Sequence, residues 1–109
     1  MPIDRYSQDA VYFVKFTTKL KIGLSYDDLN TDLRKQISRN NGVIVKMVYK
    51  DTPAFAANLI VGDVIIIANG NSISDMGSFK AQIDQLPESG ILELRIIRNG
   101  KELDLSIPF

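Results

Sequence analysis

Two apolar runs with a short polar interval between them dominate the chain. Residues 42–49 read Gly-Val-Ile-Val-Lys-Met-Val-Tyr, and residues 64–68 read Val-Ile-Ile-Ile-Ala. Both are rich in β-branched side chains and short, which predicts two strands. The interval opens with Thr52-Pro53-Ala54-Phe55-Ala56-Ala57. Thr52 can cap a helix whose first position is Pro53, where a missing N–H costs nothing. The alanines keep that helix slim enough to lie close to a sheet. Asn58 tolerates a left-handed stop. Gly62-Asp63 turns the chain into the second run, and Asn69-Gly70 ends it with a strong turn signal.

The same reading extends in both directions. Leu29, Leu33 and Ile37 recur at four-residue spacing, which predicts an amphipathic helix within residues 26–41, capped by Asn30 or Thr31. Residues 40–42, Asn-Asn-Gly, form the turn after it. Phe79, Ile83 and Leu86 share one face of a further helix that begins between Met76 and Ser78, with Pro87 and Gly90 ending it. Residues 91–98 are a strand, Asn99-Gly100 a two-residue hairpin turn, and residues 101–107 the return. On the return, Leu103, Leu105 and Ile107 alternate with Glu102, Asp104 and Ser106. Residues 1–10 are polar and aperiodic and are expected to be flexible. Residues 11–18 hold an extra strand centred on Tyr12, Phe13 and Phe16. It serves either as an edge strand packed on the domain or as a surface for a neighbouring domain or second copy.

Composition narrows the chemistry. At 109 residues the chain is long enough for one domain with a real core, here residues 11–109, and too short for two. Lys plus Arg and Asp plus Glu are equal at 13 each, so no net field favours nucleic acid or an anionic membrane. There is no cysteine and no histidine. That removes disulfides, thiolate catalysis, Cys-based metal sites and the commonest catalytic base. No apolar run approaches the roughly 20 residues that span a bilayer, and no basic region followed by an apolar stretch opens the chain. No serine sits in a Gly-x-Ser-x-Gly elbow or a Ser-x-x-Lys helix start, so intrinsic catalysis is not expected.

The succession Gly-Val-x-Val, Thr-Pro-Ala-x-x-Ala, Leu-x-x-Gly-Asp-Val-Ile and Asn-Gly-x-x-Ile, beginning at Gly42 and ending at Ile73, resembles a bacterial PDZ domain. It is most similar to those attached to HtrA-type serine proteases, site-2 proteases and carboxy-terminal processing proteases. The resemblance covers roughly residues 19–107. It departs at Asn58, where the family usually has glycine, though both residues reach the left-handed region. The implied fold is α+β: a small, partly open β-barrel or sandwich of five to six strands with two to three helices.

The implied function is a non-catalytic module that captures protein C-termini by strand addition beside the strand beginning at Leu24. In that family the triplet Ile22-Gly23-Leu24 forms the loop whose amides receive the terminal carboxylate, with glycine letting successive N–H groups point into one concavity. The binding residues carried over are Lys21, Ile22, Gly23, Leu24, Ser25, Tyr26, Phe79, Ile83 and Leu86. Lys19 or Lys21 adds positive charge there, or is a solvated edge residue. Phe79 is placed against the ligand's third-from-last side chain, and Ile83 and Leu86 around the last. Gly23→Val is expected to weaken binding while leaving the fold largely intact.

The expected partners are C-terminal peptides or exposed hydrophobic chain ends, with no nucleic acid, no membrane insertion and no cofactor. The domain is expected to be a monomer or to self-associate weakly. Ile107-Pro108-Phe109 matches the inferred ligand pattern, which raises head-to-tail docking of one copy into the next. The alternative to peptide capture is a structural or oligomerisation domain with an unused or self-occupied groove. A place in the cell envelope or beside a protease follows from the resemblance alone.

Overall fold

The computed structural model describes residues 22–109. The expected flexible segment 1–10, the aromatic strand 11–18, Lys19 and Lys21 lie outside the described residues. In chain order the elements are β1 (Leu24–Asp28), α1 (Thr31–Ile37), β2 (Val43–Val48), α2 (Pro53–Ala56), β3 (Val64–Ala68), β4 (Asn71–Ser72), α3 (Met76–Asp84), β5 (Ile91–Arg98) and β6 (Lys101–Pro108). The strands form one open antiparallel sheet in the order β1-β2-β3-β5-β6, with the short β4 beside β3. This is the α+β architecture expected, six strands and three helices among the described residues.

Local sequence sets most boundaries. Asn30 caps α1, its side chain accepting from the Leu33 N–H at 2.8 Å. The helix ends earlier than the Asn-Asn-Gly turn, at Ser38, which takes the left-handed conformation with φ 55°. Thr52 caps α2 with Pro53 at its start, and Asn58 is left-handed at φ 65°. Asp75 caps α3 in a reciprocal box with Ser78. That helix stops at Gln85, so Leu86 lies beyond it, because Pro87 disfavours the helical conformation of its predecessor. Asn99 and Gly100 both have positive φ, 53° and 76°, as the tight hairpin between β5 and β6 requires.

Strand β3 is buried on both faces, which explains its unbroken apolar run. Ile65 and Ala68 join the main core with Val43, Val45, Phe79, Leu92, Ile96 and Ile107. Val64 and Ile66 face a second cluster with Leu29 and Ile97, onto which α1 lays Leu33 and Ile37. A register shift against β5 between Ile65 and Ile67 lets the faces change over. On β6 the apolar alternation is covered unevenly: Ile107 is fully buried, Leu105 half-buried and Leu103 exposed, since the hairpin tip projects beyond the core.

Asp63 is the buried charge of the described core, 1% exposed. Arg98 meets it through two bonds, Nε to Oδ1 at 2.8 Å and Nη2 to Oδ2 at 2.6 Å, and also donates to the Asn58 carbonyl at 3.0 Å. The Ile60 N–H gives Asp63 a further partner at 3.0 Å. A buried carboxylate is tolerable when its oxygens are satisfied in this way. The arrangement ties the turn after α2 to the end of β5.

Candidate peptide-binding groove

Strand β1 is at the edge of the sheet, with β2 on one side and α3 alongside. Its backbone polarity follows from the pairing. The Tyr49 N–H donates to the Gly23 carbonyl at 2.9 Å, which makes Leu24 and Val48 a pair without mutual hydrogen bonds. Leu24 therefore turns its N–H and C=O away from β2. A bulge follows between Ser25 and Tyr26. Beyond it Tyr26 faces Val45, whose own N–H and C=O are used by Asp63 and Gly62 at 2.8 and 2.9 Å. Tyr26 is thus also turned outward. The open edge presents Leu24 and Tyr26, two residues apart, the spacing an added antiparallel strand needs.

The triplet before β1 is fixed by its carbonyls. Ile22 C=O accepts from the Ala54 N–H at 2.8 Å, and Gly23 C=O accepts from Tyr49. All described peptide bonds are trans. In a trans peptide the N–H points opposite to the C=O. Pulling these two carbonyls inward therefore turns the N–H groups of Gly23 and Leu24 outward, a pair of adjacent donors suited to an anion.

Gly23 adopts φ +100°, and a Cβ there would fall inside the Thr52 side chain. Thr52 is itself held, donating to the Tyr49 carbonyl at 2.6 Å and capping α2. The expectation that Gly23→Val spares the fold is therefore corrected: glycine is needed for close packing as well as for the donor pair.

The other carried-over residues gather between β1 and α3. Ile22 and Leu24 are buried in the main core, so they offer backbone rather than side chains. Ser25 and Tyr26 are half-buried. Phe79 is fully buried, and Tyr26 stands edge-on to its ring with centroids 4.7 Å apart and planes at 87°. Phe79, expected to face the ligand's third-from-last side chain, is instead closed off from solvent, with Tyr26 against its ring. Ile83 and Leu86 are half-buried and pack on the main core, leaving part of each at the surface.

Burial raises the Tyr26 phenol above its ordinary pKa; the nearby Lys80 opposes the shift and Asp84 adds to it. Lys80 and Asp84 pair across one helical turn at 2.7 Å. Sequence reasoning missed Thr52 as the neighbour of Gly23, and Asp28, whose Oδ1 accepts from the Met76 N–H at 2.8 Å and ties the start of α3 to the end of β1. Neither has a local signal, because both partners are distant in the chain.

Among the described residues no group of three or more His, Cys, Asp or Glu side chains gathers as a metal ion requires. No helix among them is long and apolar enough to cross a membrane.

An open antiparallel sheet with a helix-flanked edge strand and an outward pair of amides at its head defines a class of small α+β domains. Comparison makes this specific. The PDZ domain family profile matches residues 20–109, and the chain belongs to the PDZ domain family. It is 31% identical over 88 residues to a probable periplasmic serine endoprotease DegP-like of Marinomonas sp., covering 79% of this chain and 19% of that protein. It is 29% identical over 89 residues to the periplasmic serine endoprotease DegP of Escherichia coli, covering 80% and 19%. The chain thus spans about one fifth of these relatives, and the matched segment is their PDZ part.

Among solved structures, the HtrA-type protease AlgW with decapeptide superposes with a TM-score of 0.69 at 25% identity, covering 80% of this chain and 27% of that one. The HtrA3 PDZ domain bound to a phage-derived ligand gives 0.68 at 22%, covering 80% and 81%, a likeness of fold. A bacterial, HtrA-like PDZ domain is what these matches support.

Proposed function

We propose that this domain captures the C-terminal ends of protein chains by adding them as a strand beside β1, opposite α3. The observation that carries this reading is the inward anchoring of the Ile22 and Gly23 carbonyls on Ala54 and Tyr49. It leaves the Gly23 and Leu24 amides facing out at the head of an open strand edge. A terminal carboxylate matches that pair in charge and size, and the ligand backbone then continues onto Leu24 and Tyr26. Ile83 and Leu86 line the pocket for the last side chain. The AlgW neighbour carrying a decapeptide supports a peptide as the ligand.

The domain works without catalytic groups of its own, as part of or accessory to a protease or an envelope quality-control system. The DegP relatives support that setting. The test is nuclear magnetic resonance of the labelled domain titrated with a peptide ending in Val-Ala-Val. The Gly23 and Leu24 amide signals should show the largest shifts. Shifts confined to another face would move the binding site elsewhere.

A further inference from the structure

Strand alternation carries the outward orientation one step further. With Leu24 and Tyr26 facing the open edge, Asp28 is next, since it pairs with Val43 two residues beyond the Tyr26–Val45 pair. Its outward N–H already has a partner: Asp27 Oδ1 accepts it at 2.8 Å. The Asp28 carboxylate is engaged as well, accepting from the Met76 N–H at the start of α3 at 2.8 Å. A carboxylate oxygen thus stands where an added strand would bring its carbonyl, and two oxygens cannot share that donor without repulsion. The link to Met76 also holds α3 against β1 at this end. Charged side chains that blunt an edge strand are a recurring way to stop unlimited pairing.

We infer that Asp27 and Asp28 end the strand-accepting edge after Tyr26, so that the groove grips only the last three residues of a ligand by main-chain bonding. Resting on the proposed function, this defines the ligand class as short exposed tails: an extended segment upstream of the terminal three residues meets an amide at Asp28 that Asp27 already occupies. Asp27 and Asp28 act here as positioning residues, one by capping the edge and the other by fixing the helix.

The experiment compares acetyl-Val-Ala-Val with the same sequence lengthened by two and by four upstream alanines, titrated into the full 109-residue chain. The wild type should bind all three lengths within fivefold of one another. Asp27→Ala frees the Asp28 N–H, and the longer peptides should then bind at least fivefold tighter than the shortest. Asp27→Asn keeps an acceptor oxygen without charge and should restore the plateau, which separates capping from simple charge repulsion. A fivefold or greater gain with length in the wild type overturns the inference, as does an Asp27→Ala protein without any gain. If no peptide of any length binds, the proposed function fails and this inference with it; if all bind and the length profile is wrong, only the inference fails.

Discussion

Gly23 is packed so closely against Thr52 that the space of its absent Cβ is occupied by the threonine side chain. The same glycine holds φ +100°, where side chains are strained. Two independent costs therefore meet at this position. Gly23→Ala should lower stability by about 1–3 kcal/mol, the scale of a strained backbone conformation. Combining it with Thr52→Gly should relieve the overlap, although Thr52→Gly alone removes a helix cap and costs stability of its own. A double-mutant cycle by chemical denaturation reads the coupling. Additive effects would contradict the contact.

The buried pair of Asp63 and Arg98 makes a second prediction. Arg98→Ala leaves the Asp63 carboxylate with the Ile60 amide as its remaining partner given by the structure. Removing one member of a buried pair costs about 3–5 kcal/mol. Arg98→Lys should recover only part of this, since a lysine cannot supply both parallel bonds. A full recovery by lysine would show that charge alone matters there.

These two relationships mark what was legible in the sequence. Strands β2, β3, β5 and β6, the caps at Asn30 and Thr52, the left-handed Asn58 and the Asn99-Gly100 turn all arise from local chemistry within a few residues, whereas β1 was legible only through the family resemblance. The apolar stripes of the two longer helices do too. Asp63 and Arg98 are linked across the fold, as are Gly23 with Thr52 and Asp28 with Met76, and no periodicity announces them. Phe79 shows the limit inside one helix: its stripe position was readable, but Tyr26 covering its ring was not. The two-residue β4 was too short to leave a pattern.

The chain end supplies a third prediction. Phe109 exchanges two backbone hydrogen bonds with Gly90, both 2.9 Å, and its ring lies near Gly90. Docking it into a second copy requires pulling it from its own sheet. Deleting Pro108 and Phe109 should therefore cost about 2 kcal/mol, two hydrogen bonds' worth, and lower Tm by roughly 8–16 °C for a domain of this size. Sedimentation should show no change in association. A deletion that dissociates an oligomer while sparing Tm would restore the head-to-tail reading.

Tyr26 supplies a fourth, through pH. Burial raises its pKa above the ordinary 10.0, so the folded state holds the phenol proton more tightly than the unfolded chain. Its contribution to stability is then complete below the unfolded value and is lost as pH rises through the folded one. Tm should fall more steeply above pH 10 in the wild type than in Tyr26→Phe. Equal slopes would mean that Tyr26 titrates alike in both states.

The central claim is that the outward amides of Gly23 and Leu24 hold a ligand's terminal carboxylate. Calorimetry with one hydrophobic-ended peptide, prepared as the free acid and as the C-terminal amide, tests it most directly. Amidation should weaken binding by about 1.5–3 kcal/mol, the scale of hydrogen bonds to a charged group. Equal affinity for the acid and the amide would contradict the claim.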